Sequence, residues 1–137
     1  MVCIYCGSAT QTINSRAKKK HSVWRRRKCV NCDAVFTTSE RPDWEHTLIF
    51  QASPKSLQPF SRDKLLLSLN DSLKHRNDAT EAATALTDTI LQRMIPKISS
   101  ATVLRNDLIV IATEVLHRFD KSAAVAYTAF HPIKTTS

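Results

Sequence analysis

Glycine is nearly missing from this chain. Gly7 is the one glycine in 137 residues. That excludes the Gly-rich phosphate loops of the Walker and dinucleotide-binding types, which need several. It also leaves few places where the backbone can take a positive φ cheaply. Cysteine is absent after Cys32, so all thiol chemistry is confined to the first quarter of the chain. Acidic side chains are absent between Cys6 and Cys29. Long apolar runs are absent too. A stretch such as Leu108 to Ala112 falls far short of a bilayer span. The N-terminus lacks the charged, apolar, small-residue order of a signal peptide. The expectation is a cytoplasmic protein without a membrane partner, in a compartment where paired thiols favour metal over disulfide.

What is present begins with those thiols. They form two CxxC pairs, Cys3-Ile4-Tyr5-Cys6 and Cys29-Val30-Asn31-Cys32, separated by 22 residues. CxxC lets one tight turn supply two corners of a tetrahedron, so two pairs read as a four-thiolate zinc site. A redox dithiol would open a helix in a βαβ setting, and no such pattern is present. Gly7 follows Cys6 where a knuckle must turn back, and Asp33 occupies the matching place after Cys32. The spacer suits an out-and-back excursion. Gln11 to Ser15, Ser22 to Lys28 and Ala34 to Thr38 read as strands. The expected first module, residues 1–46, is a zinc ribbon that needs its metal as a staple.

The formal net charge is +8. Residues 1–46 hold nine Lys/Arg against four Asp/Glu, whereas residues 47–137 hold eleven against eight. The positive field is therefore concentrated on the ribbon, where Arg16, Lys18, Lys19, Lys20, Arg25, Arg26, Arg27 and Lys28 lie between the cysteine pairs. Strand alternation puts Arg25 and Arg27 on one face, Arg26 and Lys28 on the other. A solvated charge run is the plain alternative. Cations tethered to a rigid metal staple point instead to phosphate and base-edge recognition, with Arg16 and Arg25 to Lys28 as the candidate contacts.

The second module, residues 47–133, reads as mainly helical with a short β arm. Thr47 to Phe50 suggests a strand, and Ser53-Pro54-Lys55 a turn. Leu65, Leu66, Leu69 and Leu73 stripe a first helix that begins near Ser61 or Arg62. Asp78-Ala79-Thr80-Glu81 looks like a capping box opening a second helix, which Pro96 ends. Ser99 or Ser100 is the expected cap of a third, with Leu104, Leu108, Ile111, Ala112, Val115, Leu116 and Phe119 on its buried face. Ala123 to Phe130 suggests a fourth. The fold class is therefore α+β. No nucleophile setting or carboxylate pair stands out, so an enzyme is not expected.

Several of these segments resemble the NrdR family, bacterial transcriptional repressors of ribonucleotide reductase genes. Met1 to Cys6, Ile13-Asn14-Ser15-Arg16, Arg25 to Cys29 and Val35 to Glu40 resemble its ribbon. Pro59-Phe60 with Asp63-Lys64-Leu65 resembles the start of its ATP-cone, as Asp120-Lys121, Val125-Ala126-Tyr127 and Phe130 resemble the end. The resemblance implies a homo-oligomeric, nucleoid-associated repressor. Zinc would be held by Cys3, Cys6, Cys29 and Cys32, and operator duplex DNA by Arg16 and Arg25 to Lys28. ATP or dATP in the cone would control assembly. Lys64 is the candidate phosphate contact, with Ser61 one turn before it and Lys55 in the neighbouring turn. The chain departs from the family in the cone's first strand, where the lysine falls at Ala52 and the glycine at Lys55. The alternative is a nucleotide-independent zinc-ribbon nucleic-acid-binding or interaction protein with a degenerate cone.

Overall fold

A computed structural model describes residues 1–18 and 20–135. Lys19, one of the expected cations, lies outside the described residues. The chain divides into two compact units, Met1–Asp43 and Trp44–Ser137.

The first unit is a three-stranded antiparallel sheet of β1 (Thr10–Ala17), β2 (Val23–Cys29) and β3 (Val35–Glu40), in that order. β2 is the centre strand, so its arginine run is bonded on both sides. The β1–β2 hairpin is closed by the Lys18 N–H on the Ser22 carbonyl at 2.8 Å. One irregularity interrupts it. Thr12 pairs with Arg27 and Asn14 with Arg26, so Ile13 is an extra residue opposite no partner. Such a bulge bends the strand and changes which residues share a face beyond it. The buried core of this unit is Cys3, Cys29 and Phe36, with Ala34 packed against them. That is too little apolar surface to fold without a staple.

The second unit begins with a single helical turn, α1 (Trp44–Thr47), ahead of β4 (Ile49–Ser53). The strand expected from Thr47 thus starts at Ile49, and Leu48 is buried instead. β4 turns at Pro54 and Lys55 into β5 (Ser56–Pro59). Helices α2 (Arg62–Ser72) and α3 (Ala79–Met94) follow, and a 3₁₀ turn at Ile95–Lys97 carries Pro96. Then come β6 (Thr102–Leu104), α4 (Arg105–Phe119) and α5 (Lys121–Phe130). β6 lies parallel to β4, giving the sheet order β5-β4-β6. The core is continuous. Phe60, Leu69, Leu73, Ile90, Met94, Val103 and Leu116 are among its most buried side chains.

Three local expectations are overturned. Ser99 and Ser100 do not cap α4. Ser100 and Ala101 take positive φ (58° and 53°), and the Ala101 carbonyl accepts the Ile49 N–H at 2.9 Å. This turn lays β6 beside β4, so α4 starts at Arg105 with Leu104 at its cap, 47% exposed rather than in the core. Asp78 stands at the α3 N-cap but makes no capping bond. Its carboxylate instead takes two Arg76 hydrogen bonds, at 2.7 and 3.0 Å. Phe119 is half in solvent because the Arg76 guanidinium stacks over its ring at 4.7 Å.

Candidate metal centre and nucleic-acid interface

The two CxxC turns repeat one backbone design. In the first, the Cys3 N–H bonds the Ser8 carbonyl at 2.8 Å; in the second, the Cys29 N–H bonds the Ala34 carbonyl at 2.9 Å. Each turns back through a left-handed residue, Gly7 (φ 74°) and Asp33 (φ 56°). The turns bring Cys3 Sγ to 3.7 Å from Cys32 Sγ, and Cys6 Sγ to 3.5 Å from Cys29 Sγ. All four sulfurs lie within 4.8 Å of one another. A tetrahedron with zinc–sulfur bonds of about 2.3 Å has edges of about 3.8 Å. The thiols therefore fit a zinc ion. Backbone N–H groups supply the outer shell: Tyr5 to Cys3 Sγ, Asn31 and Cys32 to Cys29 Sγ, each at 3.4 Å.

The titration of these thiols points the same way. The Tyr5 backbone N–H lowers Cys3, and the Ser8 hydroxyl with its N–H pulls Cys6 down to about 6. The Ala34 N–H favours the Cys32 thiolate, but Cys29, burial, Cys6 and Cys3 outweigh it and push that thiol up to about 12. Four adjacent thiols cannot all ionise unaided. A divalent cation removes the conflict.

The cations of the ribbon are not equivalent. Arg25 pairs with Glu40 at 2.6 Å, and Arg27 donates through Nε to Thr38 Oγ1 at 3.1 Å. Lys28 lies 3.0 Å from Asp33. Arg16 and Arg26 are exposed and make no ion pair among the described residues.

In the second unit, a cavity of about 230 Å³ opens beside the start of α2. Ser61 and Lys64 both line it. The Ser61 hydroxyl is engaged, accepting the Lys64 backbone N–H at 3.2 Å as the helix cap. Lys55 stands exposed in the β4–β5 turn and is not on the wall. The wall adds Arg105 and His131, which the sequence reading did not single out, and Tyr127, which it quoted only as part of the Val125-Ala126-Tyr127 segment. Burial raises Tyr127 to about 12, and burial followed by Arg105 lowers His131. Both rings are therefore neutral at neutral pH, leaving Lys64 and Arg105 as the cationic groups. A signal for Arg105 did exist. An arginine in the first turn of a helix opposes the macrodipole, an arrangement that calls for a separate reason.

The N-terminal part of the chain, residues 1–40, matches a family described as the N-terminal domain of transcriptional repressor NrdR-like proteins. A transcriptional repressor NrdR of Afipia carboxidovorans is 33% identical over 134 residues, covering 96% of this chain and 83% of the relative. One from Pelotomaculum thermopropionicum is 35% identical over 136 residues, covering 95% and 76%. This chain belongs to the NrdR family. One from Halorhodospira halophila is 31% identical over 132 residues, covering 95% and 82%. The four-cysteine cluster falls inside the matched NrdR-like ribbon, which agrees with its fit to zinc. The NrdR relatives align across the second unit as well as the ribbon. Among the described residues, no helix is long and apolar enough to cross a membrane.

Proposed function

We propose that this chain is a zinc-dependent transcriptional repressor that acts by binding rather than by catalysis. Residues 1–46 hold duplex DNA, and residues 47–133 form an ATP-cone-like unit that oligomerises. The observation that carries the reading is the ribbon itself. Four converging thiols fix a hairpin whose Arg16 and Arg26 have no carboxylate partner among the described residues. Phosphate and base edges are the natural partners for cations held so rigidly. Family membership supports a finer reading, in which the operators lie at ribonucleotide reductase genes and ATP or dATP selects the assembly that binds them. Paired protomers on paired sites would gain avidity. Such a protein works at the nucleoid in the cytoplasm.

Lys64 and Arg105 suit an anionic ligand in the cone, with Ser61 beside them and Lys55 available from the hairpin turn. A second reading rests on the size of that cavity. At about 230 Å³ it lies under the roughly 300–1,000 Å³ of ordinary small-molecule sites. Under this reading the cone is a nucleotide-independent assembly module and the ribbon binds constitutively. One experiment tests both. Zinc-loaded protein is mixed with duplexes spanning the promoters of the host's reductase genes, and with unrelated duplexes of equal length, without nucleotide and with ATP or dATP. Mass and DNA affinity are followed together. The proposal expects preference for the reductase promoters and a change of mass with nucleotide. Preference without any mass change favours the second reading. No binding to either duplex sinks both.

A further inference from the structure

The strand pairings sort the ribbon's side chains into two faces, since residues directly opposite in an antiparallel ladder share a face. On one face lie the rows Arg16–Trp24–Ser39, Asn14–Arg26–Thr37 and Gln11–Lys28–Val35. On the other lie Ala17–Val23–Glu40, Ser15–Arg25–Thr38 and Thr12–Arg27–Phe36. The second face is already committed. Arg25 is held by Glu40, Arg27 by Thr38, and the face runs down to buried Phe36 and Cys29 at the metal end. The first face carries unsatisfied chemistry. Arg26 and Arg16 are exposed, Lys28 is paired with Asp33 at 3.0 Å, and the amides of Asn14 and Gln11 flank them.

The bulge at Ile13 creates this arrangement. Plain alternation along β1 would put Gln11, Ile13 and Ser15 together. The extra residue switches the phase, so Gln11, Asn14 and Arg16 share the face of Arg26 instead. Ile13, 53% exposed, is the residue displaced from the ladder. The bulge thus brings Asn14 and Arg16 onto the face of Gln11 and Arg26, gathering two amides and two arginines for a polar partner.

We propose that the ribbon reads duplex DNA with this face alone, laid into the major groove, with Arg26 and Asn14 as the base-reading pair. The proposal rests on the DNA-binding reading above and deepens it. Arg pairs bidentately with guanine and Asn or Gln with adenine, both only from the major groove. The geometry agrees. Asn14, Arg16 and Arg26 all lie on the β1–β2 pair, and the major groove admits a two-stranded β-ribbon. Arg25 and Arg27 then serve the ribbon's own structure.

The test uses the full-length, zinc-loaded chain. A randomised duplex library is selected for binding, and the recovered consensus is compared with mixed genomic duplex of equal length. Arg26→Ala and Asn14→Ala should each lower the consensus-to-genomic affinity ratio about ten- to a hundredfold, with zinc content unchanged. Arg25→Ala and Arg27→Ala should leave that ratio within about threefold, whatever they do to ribbon stability. Methylation of guanine N7, which lies in the major groove, should block wild-type binding at consensus guanines, and Arg26→Ala should lose this sensitivity. The proposal is overturned if the Arg25 and Arg27 variants lose the ratio while Arg26→Ala keeps it, or if N7 methylation has no effect. Failure of the wild type to bind any duplex would instead remove the DNA-binding reading, and the proposal with it.

Discussion

Removing the metal should unfold one unit and leave the other standing. In the ribbon, Phe36 is the only buried apolar side chain that is not a thiol ligand, among the described residues. Burying one phenylalanine stabilises by roughly 1.5–3 kcal/mol. A structural four-thiolate zinc contributes about 10–16 kcal/mol at neutral pH. The metal thus outweighs the apolar core several-fold, and without it the sheet has nothing to hold Cys3 and Cys29 together. The helical unit has its own core from Leu48 to Tyr127 and contains none of the four thiols. Limited trypsin digestion of the whole chain provides the assay. While folded, the Arg25 to Lys28 stretch is a centre strand bonded on both sides and resists cleavage. Chelation should accelerate cutting there by at least about a hundredfold, because cleavage follows the population of the open state. Fragments from residue 44 onward should persist at the same rate as before. Restoring zinc should restore protection, and Cys29→Ser should imitate chelation. If zinc is verifiably gone and cutting within 25–28 changes by less than about twofold, the ribbon is not metal-held and the reasoning fails.

Four further outcomes are expected. With Arg16, Lys18 and Lys20 as the cations available to phosphate, DNA affinity should fall about 40-fold between 50 and 200 mM salt, and a flat titration would exclude the ribbon as the main contact. Asp120 accepts the Ala123 N–H, His75 and Arg76, and these bonds hold its carboxyl down to about 2 from the usual 3.8. The stabilisation is complete above about pH 4 and lost as pH falls toward 2; Asp120→Asn should therefore lower the melting temperature at pH 6, and the gap to wild type should close at acid pH rather than stay constant. Thr113 Oγ1 is buried without a hydrogen bond among the described residues, so Thr113→Val should raise unfolding free energy by about 1 kcal/mol in a urea titration. Deleting Ile13 removes the bulge yet leaves Gln11, Asn14 and Arg16 on one face by plain alternation; consensus binding should survive within a few-fold, and its loss would show that the bulge matters for more than facing.

Much of the ribbon was legible because its constraints are local. CxxC spacing reports on a single turn, and Gly7 marks where that turn reverses. The second knuckle was readable through Asp33 for the same reason, since few residues tolerate positive φ and Asp is one of them. The helices were legible wherever an apolar stripe met a core, as at Leu65, Leu69 and Leu73. The failures share a cause. β6 is three residues long and exists only because β4 lies beside it. Leu104 carries a helix-compatible apolar pattern, and the parallel ladder overrides it. The Asp78 box failed because Arg76, two residues away, bound the carboxylate more strongly than a backbone N–H could.

The candidate site divides along the same line. β2 is unbroken, so alternation alone separates Arg25 and Arg27 from Arg26 and Lys28. Which of the four is left without an ion pair or side-chain hydrogen bond among the described residues depends on partners from elsewhere in the ribbon, namely Glu40 and Thr38 on β3 and Asp33 in the second knuckle, which leave Arg26. Which side chains accompany Arg26 depends on one extra residue in β1. Nothing about Ile13 as a letter announces a bulge, since isoleucine is an ordinary strand former. The ladder forces it. With Thr12 opposite Arg27 and Asn14 opposite Arg26, a single residue must leave the register. The arginine run therefore overstates the contact surface when counted and understates it when read alone. Two of its members are structural, while an asparagine, a glutamine and a distant arginine join the remainder only once the strands are paired.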